Sequence, residues 1–221
     1  MATLTYEEFL TACLEFIRIT QKFGDNWETK GNTQEDGAFY LYKRMYFECG
    51  SEKDMALSSQ KLSENINSEM IQKDAEEDFM QCIEHLEPYD PSVVKEVISK
   101  KYITYEYHIV YNFGHLVPTL YFNAWHSSGK LLTLEEIWER VHFQFSKQIW
   151  ENKWESLTQT EHPLLGRPFF QLHPCHTAKL MGQLKPKISS NSKFISQYII
   201  SWLSMFGPVI GLKLSLDYFT D

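Results

Sequence analysis

The chain has 221 residues, enough for one domain with a sizeable buried core. Its formal net charge of -8 arises in residues 51–91, which hold eleven acidic and three basic residues, whereas the rest carries eighteen of each sign. Because the rest of the chain is neutral overall and has no Lys or Arg cluster, nucleic acid and an anionic membrane are not favoured as partners. The four cysteines are irregularly spaced and form no CxxC pair, which predicts free thiols in a reducing, intracellular compartment.

The first predicted element is an amphipathic helix. Thr5-Tyr6-Glu7-Glu8 is a capping box, in which the first and fourth side chains bond reciprocally to backbone N–H groups. Phe9, Cys13 and Phe16 follow at helical spacing, so we expect Cys13 to be a small buried hydrophobe. The aromatic-rich segment 27–49, which contains turn-like glycines, predicts strands.

An acidic insertion follows at about residues 51–95, within what we predict to be a single domain spanning residues 1–221. The insertion is polar and poor in β-branched residues, which predicts a mobile loop. Its carboxylates lack the spaced glycine and ligand pattern of a calcium loop, so we interpret them as a solvated acidic face.

Regular structure resumes with a hairpin. Apolar and aromatic residues alternate with polar ones over residues 103–111, and a second strand is predicted over residues 117–125, after a turn at Asn112-Phe113-Gly114-His115. Thr133-Leu134-Glu135-Glu136 is a second capping box, and its apolar stripe predicts a helix as far as Ile149.

The last third of the chain predicts short elements around a Pro-rich loop. Residues 150–168 are predicted to be irregular, residues 169–172 a brief buried strand and residues 177–184 a helix. The uncharged run 194–212 has the length of a membrane span, but its polar residues and the stop at Gly207-Pro208 favour a helix of about four turns followed by an extended tail. The order of elements predicts an α+β fold, with an antiparallel meander sheet of four to six strands covered by helices.

Cys175 has the surroundings expected of a reactive thiol. Pro174 fixes the backbone before it, a helix is predicted to start just after it with Thr177 available as a cap, and His173 and His176 flank it. Cys13 belongs to a helix core, and Cys49 and Cys82 have no adjacent His or Pro. Cys175 is therefore the candidate nucleophile.

Residue types alone leave three alternatives for Cys175. A zinc site could use His162, His173, Cys175 and His176, although a second Cys/His pair at the usual spacing is missing. A cysteine hydrolase would need a histidine base and an orienting Asn or Asp brought in by the fold. A structural cysteine in a loop is the third possibility.

Five segments spread over the chain carry a family resemblance, and the block around His173-Pro174-Cys175 is the most specific. They are Glu106-Tyr107-His108-Ile109-Val110-Tyr111, Val117-Pro118-Thr119-Leu120-Tyr121-Phe122, Leu132-Thr133-Leu134-Glu135-Glu136-Ile137-Trp138-Glu139, residues 161–177 and residues 200–212. In this order they resemble the autophagy E2-like conjugating enzymes, over about half of the chain.

The resemblance implies an E2-like core with the catalytic cysteine in an edge loop. It implies that Cys175 accepts a ubiquitin-like modifier as a thioester and passes it to a target lysine, without a metal or small cofactor. The implied partners are an E1-like activating enzyme (autophagy-related protein seven), the modifier (autophagy-related protein twelve) and the acceptor (autophagy-related protein five). We expect the hairpin over residues 101–125 to offer an exposed edge for strand addition. A catalytically silent E2-fold binding module is the alternative.

Further site residues are expected only in the light of the resemblance. His173 is the candidate donor to the developing oxyanion, or else supports the loop through a backbone hydrogen bond. Tyr107 and Tyr111 are candidates for orienting the thioester or the lysine, although aromatic residues on a strand face usually belong to the core. His176 departs from the Lys or other polar residue expected after the cysteine, which leaves the activation of the thiol open.

Overall fold

The computed structural model describes residues 2–48, 102–140, 157–185 and 190–219. The acidic insertion and the predicted continuation of the second capping-box helix beyond Arg140 lie outside these residues. The described helices and strands, in chain order, are α1 (Tyr6–Lys22), β1 (Glu28–Gly31), β2 (Phe39–Glu48), β3 (Tyr102–Asn112), β4 (Val117–His126), α2 (Leu134–Arg140), β5 (Leu157–Glu161), β6 (Pro168–Leu172), α3 (Thr177–Leu184), α4 (Asn191–Ser196) and α5 (Tyr198–Phe206).

Both predicted capping boxes are present. The Thr5 side chain accepts the Glu8 N–H at 3.1 Å, and Glu8 accepts the Thr5 N–H at 2.9 Å. Thr133 and Glu136 repeat this arrangement ahead of α2. Each box satisfies backbone N–H groups that the first turn of a helix leaves unpaired, which fixes where the helix begins.

The sheet has six strands in the order β1-β2-β3-β4-β6-β5. It is a meander as far as β4, and then β6 pairs with β4 while β5 lies outside β6. The α+β class is therefore confirmed. The expectation that the β3–β4 hairpin offers an exposed edge is wrong, because both strands have neighbours on each side and the edges are β1 and β5.

The segment predicted to be irregular contains a strand. β5 pairs antiparallel with β6, from Leu157 opposite Leu172 to Glu161 opposite Pro168. As an edge strand it buries Leu157 but exposes or half-exposes its polar residues, so it lacks apolar alternation. The Pro- and Gly-rich residues that suggested irregular structure form only the loop 162–167 between the two strands.

One face of the sheet packs on helices α1, α4 and α5. Phe9, Cys13 and Phe16 of α1 are fully buried there, as predicted. The uncharged run near the C-terminus forms two short helices rather than one, because Gln197 leaves the helical conformation between them. A Cβ at Gly207 would lie 2.4 Å from the Leu212 carbonyl oxygen, so only glycine permits the close turn that follows α5.

None of the helices within the described ranges combines the length and apolar character that a membrane span requires.

Candidate active site

Cys175 lies in a short 3-10 turn, Pro174–His176, between β6 and α3. Two thiols are described, and they differ in access: Cys13 is buried in the core and Cys175 is exposed. Burial raises the pKa of the Cys13 thiol well above its ordinary value, because a thiolate there would lose its hydration. Of the described cysteines, Cys175 is thus the one that a second protein can reach.

The turn is held by its own neighbours. His173 is extended, with φ -65° and ψ 131°, and its Nδ1 accepts the Cys175 N–H at 3.2 Å. Pro174 occupies the first turn, and the Thr177 N–H donates to the Pro174 carbonyl. Thr177, the predicted cap, is instead the buried first residue of α3. His176 occupies the cap position and makes no side-chain capping hydrogen bond.

A second histidine, which sequence reasoning did not single out, stands beside this turn. The His115 and His173 rings meet edge to face, with centroids 5.6 Å apart and planes at 84°. His115 belongs to the loop between β3 and β4, where Asn112 Oδ1 accepts its backbone N–H at 2.9 Å. The only sequence signal was that His115 follows Asn112 in a predicted turn, and the separation of more than fifty residues between His115 and His173 hid the pairing.

The N-terminal segment, residues 2–5, ties the Cys175 region to the sheet. The Ala2 N–H donates to the Ala178 carbonyl in α3, and the Leu4 N–H donates to the Leu116 carbonyl in the β3–β4 loop, both at 2.9 Å. Tyr198 of α5 donates its hydroxyl to the Ala2 carbonyl. The position of α3, and of the turn before it, therefore depends on contacts made by the start of the chain.

Tyr107 and Tyr111 lie in the helix-facing core and not at the surface around Cys175. The Tyr107 hydroxyl donates to the Ile210 carbonyl at 3.0 Å, and the Tyr111 hydroxyl donates to the Leu4 carbonyl at 2.6 Å. Burial raises the pKa of Tyr107 well above its usual range, which keeps this hydroxyl protonated as a donor. Both hydroxyls thus satisfy backbone carbonyls, and an orienting role for either would require breaking these bonds.

The opposite face of β3 carries a buried polar cluster that the sequence analysis missed. The His162 Nδ1 accepts the N–H groups of Leu164 and Leu165 at 3.2 Å, so the neutral ring carries its proton on Nε2. That nitrogen lies 3.0 Å from the His108 Nδ1, to which it donates. The His108 Nε2 therefore holds a proton and lies 3.2 Å from Glu106 Oε1, an electrostatic contact without good hydrogen-bond geometry.

Two arginines complete this cluster. Arg44 and Arg167 contact the two oxygens of Glu106 at 3.0 and 3.3 Å. Burial alone would raise the pKa of Glu106, but the short contact from His108 and the hydrogen bond from Arg44 outweigh burial and lower it to about 2. Burial, with the nearby His108 and Arg167, lowers the pKa of His162 to about 4. The cluster therefore holds an ionised carboxylate beside a neutral histidine.

The cluster bears on the zinc alternative. His162, one of its four candidate ligands, is buried against His108 on the outer face of the sheet, whereas Cys175 is exposed. Among the residues that the structure describes, no three His, Cys, Asp or Glu side chains are grouped as a metal site would require. The structure therefore does not bring these candidate ligands together.

Comparison with known proteins identifies the family. Residues 8–217 match the model for the family "Autophagocytosis associated protein, active-site domain". The human ubiquitin-like-conjugating enzyme ATG10 is 36% identical over 216 residues, covering 95% of this chain and 90% of the human protein. The enzyme of the same name from Arabidopsis thaliana is 36% identical over 138 residues, covering 62% of this chain and 61% of that protein.

Among solved structures, the crystal structure of the autophagic E2 Atg10 is similar with a TM-score of 0.46 at 16% identity, covering 96% of this chain and all of the other. The sequence matches extend over nearly the whole chain and include the Cys175 turn. The chain belongs to the ATG10 family of ubiquitin-like-conjugating enzymes, the E2-like enzymes of autophagy.

Proposed function

We propose that the chain accepts a ubiquitin-like modifier from an E1-like enzyme as a thioester on Cys175 and transfers it to a lysine of a target protein. The observation that carries the proposal is the exposed thiol of Cys175. The backbone N–H of Cys175 donates to His173, and α3 and the N-terminal segment hold the turn in place. The membership of the ATG10 family supports the reaction class.

The chemistry requires two acyl transfers. In loading, the Cys175 thiolate attacks the thioester carbonyl carbon on the activating enzyme, the new C–S bond forms, the old C–S bond breaks and the cysteine of that enzyme leaves as a thiolate. In transfer, the neutral amine of a lysine attacks the new thioester, a C–N bond forms, the C–S bond breaks with Cys175 leaving as a thiolate, and the amine proton passes to solvent. Cys175 precedes α3, and the partial positive charge at the amino end of a helix favours a nearby anion.

His173 is proposed to assist the transfer. Its Nδ1 accepts the Cys175 N–H, so in the neutral ring the proton is on Nε2. This N–H is the group that would donate to the carbonyl oxygen as negative charge develops on it. We do not extend the proposal to Tyr107 and Tyr111, because their hydroxyls are buried and bonded to backbone carbonyls.

The proposed partners are the E1-like autophagy-related protein seven, the modifier autophagy-related protein twelve and the acceptor autophagy-related protein five. The proposal includes a reducing compartment, the cytoplasm, because a cysteine nucleophile must remain a free thiol. Residues 1–221 are proposed to act as a single E2-like domain, with the acidic insertion at about residues 51–95 as an addition to it.

The test is a gel assay of the purified chain with activating enzyme, nucleotide and modifier. The wild-type chain should form an adduct that a thiol reductant removes, and Cys175→Ser should form a reductant-resistant oxyester. Cys175→Ala should form neither. Cys49→Ser and Cys82→Ser are the matched controls, because each removes one thiol and should leave loading intact.

Adduct formation on Cys175→Ala would refute the assignment of the nucleophile. Normal partner binding by wild type without any reductant-sensitive adduct would instead favour the catalytically silent binding module. Transfer is measured separately, by adding the acceptor protein to the loaded enzyme and following the appearance of a reductant-stable conjugate.

A further inference from the structure

The contact between His115 and His173 joins the β3–β4 loop to the Cys175 turn. The His115 ring meets the His173 ring edge to face, and His173 accepts the Cys175 N–H. We propose that His115 is a positioning residue that fixes the orientation of the His173 ring for the transfer step. This inference rests on the proposed function and deepens it.

His115 stands on a firmly held loop. Asn112 Oδ1 accepts the His115 backbone N–H at 2.9 Å, and the Asn112 carbonyl accepts the Leu116 N–H at 2.7 Å. Leu116 has a φ of 55°, a conformation that a bulky residue adopts only when its surroundings impose it. Its carbonyl is bonded to the Leu4 N–H. A ring carried by this loop has a fixed place from which to restrain a neighbour.

The protonation of the His115 ring follows from the same bonds. The Asn112 atom that accepts a backbone N–H must be the amide oxygen, which cannot donate. The His115 Nδ1 lies 3.4 Å from that oxygen and therefore carries a proton toward it. Because this contact is long, the firmly held backbone of the loop is what places the His115 ring, and the edge-to-face packing passes that restraint to His173.

The orientation of His173 matters to the chemistry in two ways. With Nδ1 bound to the Cys175 N–H, the Nε2 proton has one direction relative to the thioester. During transfer the lysine amine attacks the carbonyl carbon, the C–S bond to Cys175 breaks, the thiolate leaves and the amine proton passes to solvent. A donor already aimed at the carbonyl oxygen lowers the barrier, whereas a ring in another orientation loses both the turn contact and that aim.

The test compares His115→Ala with His115→Phe, using His126→Ala as the matched control. His126 is a histidine that is one-third exposed at the far end of the same hairpin, where it contacts Glu136. We measure loading of the modifier and, separately, discharge of the preformed thioester to free lysine as a function of lysine concentration. The maximal discharge rate of His115→Ala should fall about fivefold, from the loss of an aromatic pair contact, without a change in the half-saturating lysine concentration or in loading. His115→Phe keeps an edge-on ring and should recover most of the rate.

A second measurement needs neither a partner protein nor the transfer reaction. Long-range ¹H–¹⁵N spectra of the free chain should show His173 with an unprotonated Nδ1 and a protonated Nε2 in wild type and in His115→Phe, and displaced His173 ¹⁵N resonances in His115→Ala. An unchanged His173 spectrum, or discharge by His115→Ala at the wild-type rate, would overturn the inference. A wild-type chain that never loads would refute the proposed function, while the spectra would still decide whether His115 positions His173.

Discussion

The buried cluster on the outer face of β3 predicts how stability depends on pH. His162 has a folded-state pKa of about 4, below its ordinary value of 6.5, so the folded chain resists protonation that the unfolded chain accepts. The neutral ring therefore contributes stability that is fully present above pH 6.5 and is lost as the pH falls to about 4. A difference of about 2.5 pKa units corresponds to about 3 kcal/mol of unfolding free energy.

The perturbation that tests this is His162→Gln. A glutamine amide can donate to the His108 Nδ1, but it does not titrate and cannot reproduce every bond of the imidazole. We expect the variant to lose about 1–2 kcal/mol at neutral pH and to show a flatter pH dependence. His126→Gln is the matched control, since it removes a histidine that is one-third exposed.

The assay is urea unfolding followed by tryptophan fluorescence between about pH 7.5 and about pH 5.5, above the range in which the depressed pKa of Glu106 adds its own loss. In wild type the unfolding free energy should fall with a limiting slope of about 1.4 kcal/mol per pH unit from this one proton. Parallel pH profiles for wild type and His162→Gln would refute the reasoning, as would a loss of the slope in His126→Gln alone.

Three further predictions follow from buried contacts. Tyr107→Phe removes one buried hydrogen bond, so unfolding free energy should fall by about 1 kcal/mol in urea titrations while thioester loading persists; lost loading without lost stability would restore an orienting role. Leu4→Ala should lower unfolding free energy by about 2–4 kcal/mol, because Leu4 is 2% exposed, and a loss below about 1 kcal/mol would contradict its burial. Iodoacetamide should modify Cys175 in the native chain and reach Cys13 only after unfolding, as peptide mass mapping would show.

The elements that were predictable are those whose signals are local. The two capping boxes, the β3–β4 hairpin and the helix after Cys175 each depend on residues within a few positions of one another. The turn at Cys175 was also predictable, because Pro174 restricts the backbone within that turn. What remained open there was which histidine bonds to which group.

The order of the strands was not predictable, because pairing is decided by distant parts of the chain. β6 separates β4 from β5, and no feature of the hairpin sequence shows that its second strand will be covered. β5 escaped prediction for a related reason, since Thr158 and Thr160 on an edge strand need not be apolar. The break at Gln197 lies within a run with no charge to mark it.

The outer face of β3 shows the same limit for individual residues. Glu106 and His108 alternate with tyrosines, a pattern that predicts a solvated strand face. They are buried because Arg44, Arg167 and His162 are brought to them from β2 and from the β5–β6 loop. A buried carboxylate is tolerated only with such partners, and the partners are more than fifty residues away in sequence.

The position of Cys175 is therefore a property of the whole fold rather than of its motif. The His-Pro-Cys sequence specifies the turn, but α3 is bonded to Ala2, and the loop that carries His115 is bonded to Leu4. Both hydrogen bonds are made by the N-terminal segment, which is far from Cys175 in sequence. Substitutions in residues 2–5 should thus affect the geometry around the thiol as well as stability, whereas equally destabilising substitutions at a buried position of β2, such as Leu41, should affect stability alone.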